Sequence, residues 1–188
     1  MNQAIELYTD GSSLTNPGLS GYAYIIRYHV MKDGVLSTEE IEATKGFRSS
    51  TNNRMELMAA IEGLEAIVAG IESGMYTGNT INLLSDSSYM CDSINKGWLE
   101  KWSSNNWMTS GFQGKPPKPV KNIDLMQRLL NVSRKIKSFM TLNVQHVYGH
   151  SGHTYNERCD ALAKSAAENH DSHGIDEEFE KSRRNYNG

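Results

Sequence analysis

The sequence predicts an α/β fold, a five-stranded mixed sheet in the order βββαβααβα with helices on both faces. Three strand-like apolar segments fill the first 46 residues, with turn residues rather than a helix between them. A helix with a single apolar stripe follows, and strand-like and helical segments then alternate to about residue 169. These observations together indicate a mixed sheet covered by helices.

The first three strands are predicted from apolar runs separated by turn signals. We place them at Ala4–Thr9, Gly21–Val30 and roughly Thr38–Gly46. Asn16-Pro-Gly supplies a turn after the first strand. Lys32-Asp-Gly lies between the second and third strands, and it is a good signal for a β-hairpin.

The first helix is predicted over about Arg54 to Glu72. Its apolar residues recur at spacings of four and three, at Leu57, Ile61, Leu64, Val68 and Ile71. The later elements are predicted as a strand at Thr80–Ser85, helices at about Ser88–Lys96, Trp98–Ser103 and Ile123–Ile136, a strand near Leu142–Val147 and a helix at about Asn156–Asn169. Residues 105–121 are rich in Gly, Pro, Ser and Lys, which predicts an exposed loop.

One domain accounts for most of the 188 residues. We assign residues 1–169 to it and expect residues 170–188 to form a polar, charged and poorly ordered tail. No apolar stretch approaches the length of a membrane span, and the N-terminus has no signal-peptide pattern. Cys91 and Cys159 are the only cysteines, so we expect buried, reduced thiols in a cytoplasmic protein.

Charge is unevenly distributed, although the formal net charge is only −3. Residues 96–137 contain nine Lys and Arg against two Asp and Glu. Residues 168–188 contain six Asp and Glu against three Lys and Arg. The overall charge therefore argues against a generally basic nucleic-acid binder, while the basic middle can meet phosphate.

Four carboxylates occupy unusual places in the predicted fold. Asp10 and Asp86 each follow a strand-like run, Glu56 lies in the first turn of the long helix, and Asp160 lies in the last predicted helix. Ligands bind beyond the carboxyl ends of strands in open sheets, so these acids could converge there. Converging carboxylates repel one another unless a cation lies between them, and hard oxygen ligands suit Mg²⁺ or Mn²⁺. The pattern points to metal-dependent chemistry on phosphate esters.

Each acid also has a purely structural explanation. Asp10 could form a turn with the glycine after it, and Asp86 could cap the next helix. Glu56 follows Asn53 by three residues, the spacing of a capping box. Asp160 could pair with Lys164 four residues later. These explanations leave the surrounding residues unexplained.

The surroundings of the acids resemble the type 1 ribonucleases H. The resemblance is carried by Tyr8-Thr-Asp-Gly-Ser, Thr51-Asn-Asn-Arg-Met-Glu-Leu, Ser85-Asp-Ser and Gly149-His-Ser-Gly-His-Thr-Tyr-Asn-Glu-Arg-Cys-Asp, and it extends from about Ile5 to Glu168. It implies a ribonuclease H-like fold and a monomeric endonuclease that cuts the RNA strand of an RNA–DNA hybrid, leaving 5′-phosphate and 3′-hydroxyl ends.

The resemblance also implies roles for the acids. Two Mg²⁺ ions (or Mn²⁺) would clamp the attacking water and the leaving 3′-oxygen. Asp10 would bridge both ions, Glu56 and Asp86 would bind one, and Asp160 would bind the other. His150 matches a mobile histidine that assists proton transfer or product release, although a lone histidine is more often a passive surface residue.

Further positions are implied to contact the hybrid. They are Gly11, Asn16, Asn52 and Asn53 near the cleaved region, Thr51 and Asn122 at a phosphate of the DNA strand, Ser88 in the minor groove and Trp98 on a basic protrusion. Two of these regions depart from the family pattern. Ser88 replaces a common glutamine, and Ser49 replaces an arginine near the phosphate pocket, with Arg48 one place earlier.

The protrusion at Trp98–Trp107 carries less charge than the family pattern implies. Ser103-Ser-Asn-Asn replaces a cluster of basic residues, and lysines appear instead in the loop at 115–121. We expect Trp102 and Trp107 to pack inside the protrusion. We therefore predict weaker hybrid binding than in relatives with the full cluster, with a shallower salt dependence.

Two other functions remain open at this point. One is a catalytically weak hybrid-binding module, and the other is a different nuclease of the same fold. Four mutually repelling carboxylates speak against the binding module, and the absence of room for a further DNA-binding domain speaks against the transposases, integrases and junction-resolving nucleases.

Overall fold

A computed structural model describes residues 4–111, 116–148 and 153–186 of the chain. Its strands are β1 (Ala4–Ser13), β2 (Gly18–Lys32), β3 (Val35–Ser50), β4 (Thr80–Ser85) and β5 (Thr141–His146). Its α-helices are α1 (Asn52–Glu72), α2 (Ser88–Asn95), α3 (Trp98–Ser104), α4 (Ile123–Lys137), α5 (Thr154–Glu168) and α6 (Glu177–Tyr186). The predicted α/β order is confirmed, with the short piece at Trp98 standing as a separate helix and with α6 added after α5.

The five strands form one mixed sheet in the order β3-β2-β1-β4-β5. The first three strands pair antiparallel, whereas β4 runs parallel to β1 and β5 runs parallel to β4. The predicted hairpin between β2 and β3 is confirmed, because Lys32 lies opposite Val35. Its two turn residues, Asp33 and Gly34, have φ values of 52° and 79°, the left-handed backbone that a tight hairpin turn requires.

The first three strands are longer than their apolar runs predict. Strand β1 continues beyond Thr9 to Ser13, where its polar residues still pair with β2. Backbone hydrogen bonds to a neighbouring strand satisfy polar residues as well as apolar ones, so hydrophobic periodicity misses this part of the ladder.

Helix α1 covers one face of the sheet and packs against α4. The main core lies here, and Leu7 of β1 and Leu57, Ile61 and Leu64 of α1 are completely buried in it. Complete burial of such a side chain contributes roughly 1.5–3 kcal/mol. Packing of this apolar stripe therefore fixes α1 against β1.

Helix α5 covers the opposite face, where Cys159 packs with Tyr8 and Ile25. The approach is close at Gly21, because a Cβ atom there would lie 2.6 Å from the carbonyl oxygen of Ala163. Both cysteines are free and buried, as the sequence predicts, and burial raises the pKa of the Cys91 thiol to about 12. The two helices thus hold β1 from both sides.

The expectation of a poorly ordered C-terminal tail is wrong for residues 170–186. A short 3₁₀ turn at His170–Ser172 is followed by Gly174, whose backbone exchanges hydrogen bonds with Gly46 and Arg48 on β3. Asp176 is then buried, and α6 follows. Polar composition does not prevent order here because the buried acid and the backbone groups find partners on the domain.

Among the described residues, no helix combines the length and the apolar character needed to cross a lipid bilayer.

Candidate active site

Asp10 and Asp86 each stand one residue beyond the parallel ladder that joins β1 to β4. The ladder ends where Thr9 lies opposite Ser85, and the two acids come next in their chains. Asp86 therefore follows the end of its strand, as predicted. Asp10 does not, because β1 continues along β2, and Asp10 lies opposite Ala23 inside the strand. The predicted meeting of both acids at the carboxyl end of the β1–β4 pair is nevertheless what the topology produces.

Gly11 brings the start of α1 against β1. A Cβ atom at Gly11 would lie 2.3 Å from the backbone nitrogen of Glu56 and 2.4 Å from the carbonyl carbon of Met55. Only glycine permits this approach, because any side chain would collide with the helix backbone. The contact places Glu56 next to Asp10 and gives Gly11 a structural role beside its predicted hybrid contact.

Asp160 reaches the same region from the opposite face. It lies on α5 one turn before Ala163, the residue that packs against Gly21 on β2. Its carboxylate accepts a hydrogen bond from Lys164 at 2.6 Å, so the pairing considered as a structural explanation does form. Its charge also acts on Asp10.

The electrostatics of Asp10 link it to the other three acids. Asp10 is only 5% exposed, and burial together with the charge of Asp86 raises the pKa of its carboxyl to about 8. Asp160 and Glu56 contribute to this rise, whereas the Gly11 amide, which donates to Asp10 Oδ1 at 2.7 Å, opposes it. Every other acid of the predicted group therefore acts on Asp10.

Glu56 is held by side chains rather than by a helix cap. Asn52 Nδ2 donates to Glu56 Oε1 at 2.7 Å, and the Ser87 hydroxyl donates to Glu56 Oε2. Burial raises the pKa of the Glu56 carboxyl, with Asp86 adding to the rise, although these hydrogen bonds lower it. The capping-box explanation is wrong, because Thr51 is the N-cap of α1 and accepts from the Arg54 amide.

Ser87, which was not among the predicted site residues, contacts the acid group. Besides holding Glu56, it caps α2 by accepting a hydrogen bond from the Met90 amide at 3.3 Å. Asp86 is therefore not the cap of α2, and its carboxylate is left for the acid group. A serine directly after a strand-end acid and before a helix is the signal that could have indicated this role.

The donor set fits a hard divalent cation in its chemistry. It consists of carboxylates. The other three repel the charged form of Asp10, and a bound cation would relieve this repulsion. In the described ranges, however, no three Asp, Glu, His or Cys side chains are grouped so that they could hold an ion as they stand. The acids instead engage protein partners: Asp10 binds Gly11, Glu56 binds Asn52 and Ser87, and Asp160 binds Lys164.

Several predicted hybrid contacts lie next to the acids. The Asn52 amide donates to Asn16 Oδ1 at 3.2 Å, which ties the β1–β2 turn to the start of α1. Because the Asn52 side chain binds Glu56, the structure brings Gly11, Asn16 and Asn52 to one edge of the acid group. Asn53 is exposed beside them.

The remaining predicted contacts lie further along the surface. Thr51 caps α1, Asn122 precedes α4 in a left-handed conformation with φ 55°, and Ser88 is exposed at the start of α2. Trp98 begins α3, with Lys96 Nζ 5.4 Å from its ring centre. His150 lies outside the described residues.

The protrusion partly matches its prediction. Trp102 and Trp107 were expected to pack inside the protrusion, and they are partly buried against the main core of the domain instead. The base of the following loop is fixed, because the Val120 amide donates to the Trp107 carbonyl at 2.9 Å. Lys115, one of the lysines expected to carry charge in this loop, lies outside the described residues.

The sheet order, with acids just beyond the end of the β1–β4 ladder and helices on both faces, defines a ribonuclease H-like α/β protein. The family model described as RNase H matches residues 2–168. A protein named ribonuclease H from Caldanaerobacter subterraneus subsp. tengcongensis is 40% identical over 169 residues, covering 90% of this chain and 94% of that protein. The chain belongs to the ribonuclease H family, which confirms the resemblance to the type 1 enzymes.

Solved structures agree on the fold. LC9-RNase H1, described as a type 1 RNase H with the type 2 active-site motif, matches with a TM-score of 0.66 and 24% identity, covering 89% of this chain and 74% of that chain. LC11-RNase H1, solved in complex with an RNA/DNA hybrid, matches with a TM-score of 0.54 and 20% identity, covering 87% of this chain and 96% of that chain.

Proposed function

We propose that this protein is an endonuclease that hydrolyses the RNA strand of RNA–DNA hybrids and leaves 5′-phosphate and 3′-hydroxyl ends. The family match and the name of the 40% identical relative support this activity. The observation that carries the proposal is the buried Asp10 carboxyl, whose pKa is raised to about 8 by burial and by the charges of three other acids. A buried carboxyl whose pKa is raised by burial and by neighbouring acids is a candidate for binding a ligand that supplies positive charge.

Asp10, Glu56, Asp86 and Asp160 would hold two Mg²⁺ ions, with Mn²⁺ as an alternative. When bound, these ions supply activation of the attacking water and stabilisation of the charge on the leaving 3′-oxygen. The protein's own contribution is positioning. Asn52 and Ser87 fix the carboxylate of Glu56, and the Gly11 amide fixes one oxygen of Asp10.

The residues beside the acids suit recognition of the RNA strand. Backbone amides and Asn side chains can contact the 2′-hydroxyl, the group that distinguishes RNA from DNA. Asn16 and Asn52 form one connected edge with Glu56, so a ribose bound there would lie next to the reacting phosphate. Because Gly11 has no side chain, the RNA strand can approach its backbone closely.

Three expectations stay predictions within this proposal. His150 would assist proton transfer or product release, the protein would act as a monomer, and it would work in the cytoplasm. Light scattering of the purified protein during size-exclusion chromatography tests the second, and a mass near 42 kDa instead of 21.0 kDa would contradict it.

The proposal is tested with three duplexes: an RNA–DNA hybrid, double-stranded RNA and double-stranded DNA, each with Mg²⁺ and with chelator. We expect cleavage only of the RNA in the hybrid and only with the metal. Asp10→Asn and Asp86→Asn should each reduce the rate by about 10³-fold or more, since each removes a charge needed in the transition state.

Asp92→Asn is the matched control. Asp92 lies on α2 six residues after Asp86 and pairs with Lys96. The substitution therefore removes one negative charge, as Asp86→Asn does, but leaves the acid group intact. This variant should cleave at the normal rate. Cleavage of double-stranded DNA would instead support another nuclease of this fold. Hybrid binding without cleavage would support a binding module.

A further inference from the structure

The C-terminal segment returns to the domain beside the start of α1. It follows α5, runs along β3 through the backbone bonds of Gly174, and turns into α6 at Asp176. The family model ends at residue 168, so this segment lies beyond the part of the chain that the family match covers. Its placement therefore needs an explanation from this chain's own contacts.

A buried guanidinium fastens the segment to the domain. Arg54, only 4% exposed, donates from Nε and Nη2 to the two oxygens of Asp176 at 2.7 and 2.8 Å. It also donates from Nη1 and Nη2 to both oxygens of Asp124, at 2.9 and 2.7 Å. The Ser50 hydroxyl donates to Asp176 at 2.6 Å. Paired bonds of this kind are strong and directional, so they fix α6 relative to α1 and α4.

Asp176 also sets the direction of α6. It accepts a hydrogen bond from the Phe179 amide at 3.3 Å and thereby caps the helix. Acidic residues fill the first turn, and Arg183 and Arg184 lie in the last turn, so opposite ends of α6 carry opposite charge. Although the segment is acidic as a whole, the end that points away from the Arg54 attachment is basic.

The basic end of α6 reaches the end of β3. Arg183 Nη1 donates to the Ser49 hydroxyl at 3.3 Å, while half of the Arg183 side chain remains exposed. Ser49 lies three residues before Asn52, so their Cα atoms are at most about 11 Å apart. The side chain of Asn52 binds Glu56. The guanidinium is thus positioned by the protein beside Ser49, two residues before the N-cap of α1, and is open to a ligand there.

We propose that Arg183 binds a backbone phosphate of the hybrid and that residues 170–186 are part of the hybrid-binding surface. This inference rests on the proposed function. A polyanion that enters an acidic site needs cations around it, and the segment Ser103–Asn106 offers none. A guanidinium suits the role because its planar donors match phosphate oxygens.

The neighbours of Arg183 define how the contact would work. Glu180 lies one turn earlier with its carboxylate 3.8 Å from Arg183 Nη1, and the Phe179 ring lies 5.8 Å from the guanidinium carbon. The exposed ion pair with Glu180 is weak, so a phosphate can displace it. Glu180 therefore lowers the affinity for hybrid, and its removal should raise it.

The test compares Arg183→Ala with Lys181→Ala in the full chain. Lys181 is on the same helix and is also exposed, but it pairs with Glu178 and faces away from Arg183. We expect Arg183→Ala to raise KM for hybrid cleavage about three- to tenfold with kcat nearly unchanged. The slope of log Kd against log salt should become shallower by about one. Lys181→Ala should change neither quantity.

Two further variants separate phosphate binding from mere attachment of α6. Arg183→Lys keeps the charge and should recover part of the affinity, and Glu180→Gln should bind hybrid more tightly than the parent protein. Melting curves check that all four variants fold. If Arg183→Ala binds and cleaves like Lys181→Ala with an unchanged salt slope, the inference is overturned while the proposed function stands. If the parent protein cleaves no hybrid, the proposed function itself fails.

Discussion

Asp10 and Asp176 are both carboxylates nearly removed from water, yet their surroundings are opposite. Asp176 receives two hydrogen bonds from Arg54 and one from Ser50. Asp10 has the Gly11 amide as a donor, and its charged neighbours are three other acids and, further off, Lys164. One acid is neutralised by the chain, and the other is not.

This difference separates a structural site from a functional one. A buried charge that is paired with an opposite charge of the same protein holds two parts of the structure together. Removing one of the two charged groups takes a partner from the other. A buried acid surrounded by like charges destabilises the protein, so its presence indicates a ligand that supplies the missing cation. The predictions below test each side of this comparison.

The largest effect on stability is expected at Asp176, whose charge is paired with that of Arg54. Asp176→Ala should lower the free energy of unfolding by about 2–4 kcal/mol, because Arg54 would lose two hydrogen bonds and keep only Asp124, and α6 would lose its cap. Urea denaturation measures the loss. Asp171→Ala removes an exposed acid of the same segment and should change stability by less than about 0.5 kcal/mol. Equal stabilities for the two variants would mean that the Arg54–Asp176 pair does not form.

The opposite effect is expected at Asp10. Its pKa is raised from 3.8 to about 8 in the folded protein, so the folded state binds more protons than the unfolded state between these values. The metal-free protein should therefore lose stability as the pH rises from about 4 to about 8. Asp10→Asn removes the contribution of Asp10 to this dependence and should raise the melting temperature near pH 8 by about 5–10 °C.

Melting curves at several pH values in chelator test this prediction. The control is Asp33→Asn, which removes an acid from the exposed hairpin turn, where asparagine tolerates the positive φ of 52°. It should leave the pH dependence intact. An unchanged or lower melting temperature for Asp10→Asn would mean that the four acids do not act on one another.

Local patterns were enough to predict much of the fold and the acid group. The apolar stripe from Leu57 to Ile71 identified α1, and the short apolar run Thr80–Ser85 identified β4 to the residue. Asp10, Glu56, Asp86 and Asp160 were predicted because each lies at a recognisable point of a local element and within a family motif. The convergence then follows from the sheet topology.

The Arg54 attachment could not be predicted in the same way. Its partners lie 70 and 122 residues away, and no local pattern links them to Arg54. The helix in the tail did have a signal, since acids in the first turn and bases in the last turn of Glu177–Tyr186 favour a helix. Its polar composition was instead interpreted as disorder, because the burial of Asp176 depends on a distant arginine.

The most direct test of this account is the pKa of Asp10 itself. NMR titration of the ¹³C-labelled carboxyl in metal-free protein should give a pKa of about 8, and Mg²⁺ should lower it strongly because a bound cation favours the charged form. A pKa near 3.8 without metal, or one that Mg²⁺ leaves unchanged, would contradict the claim that these acids converge to bind a cation.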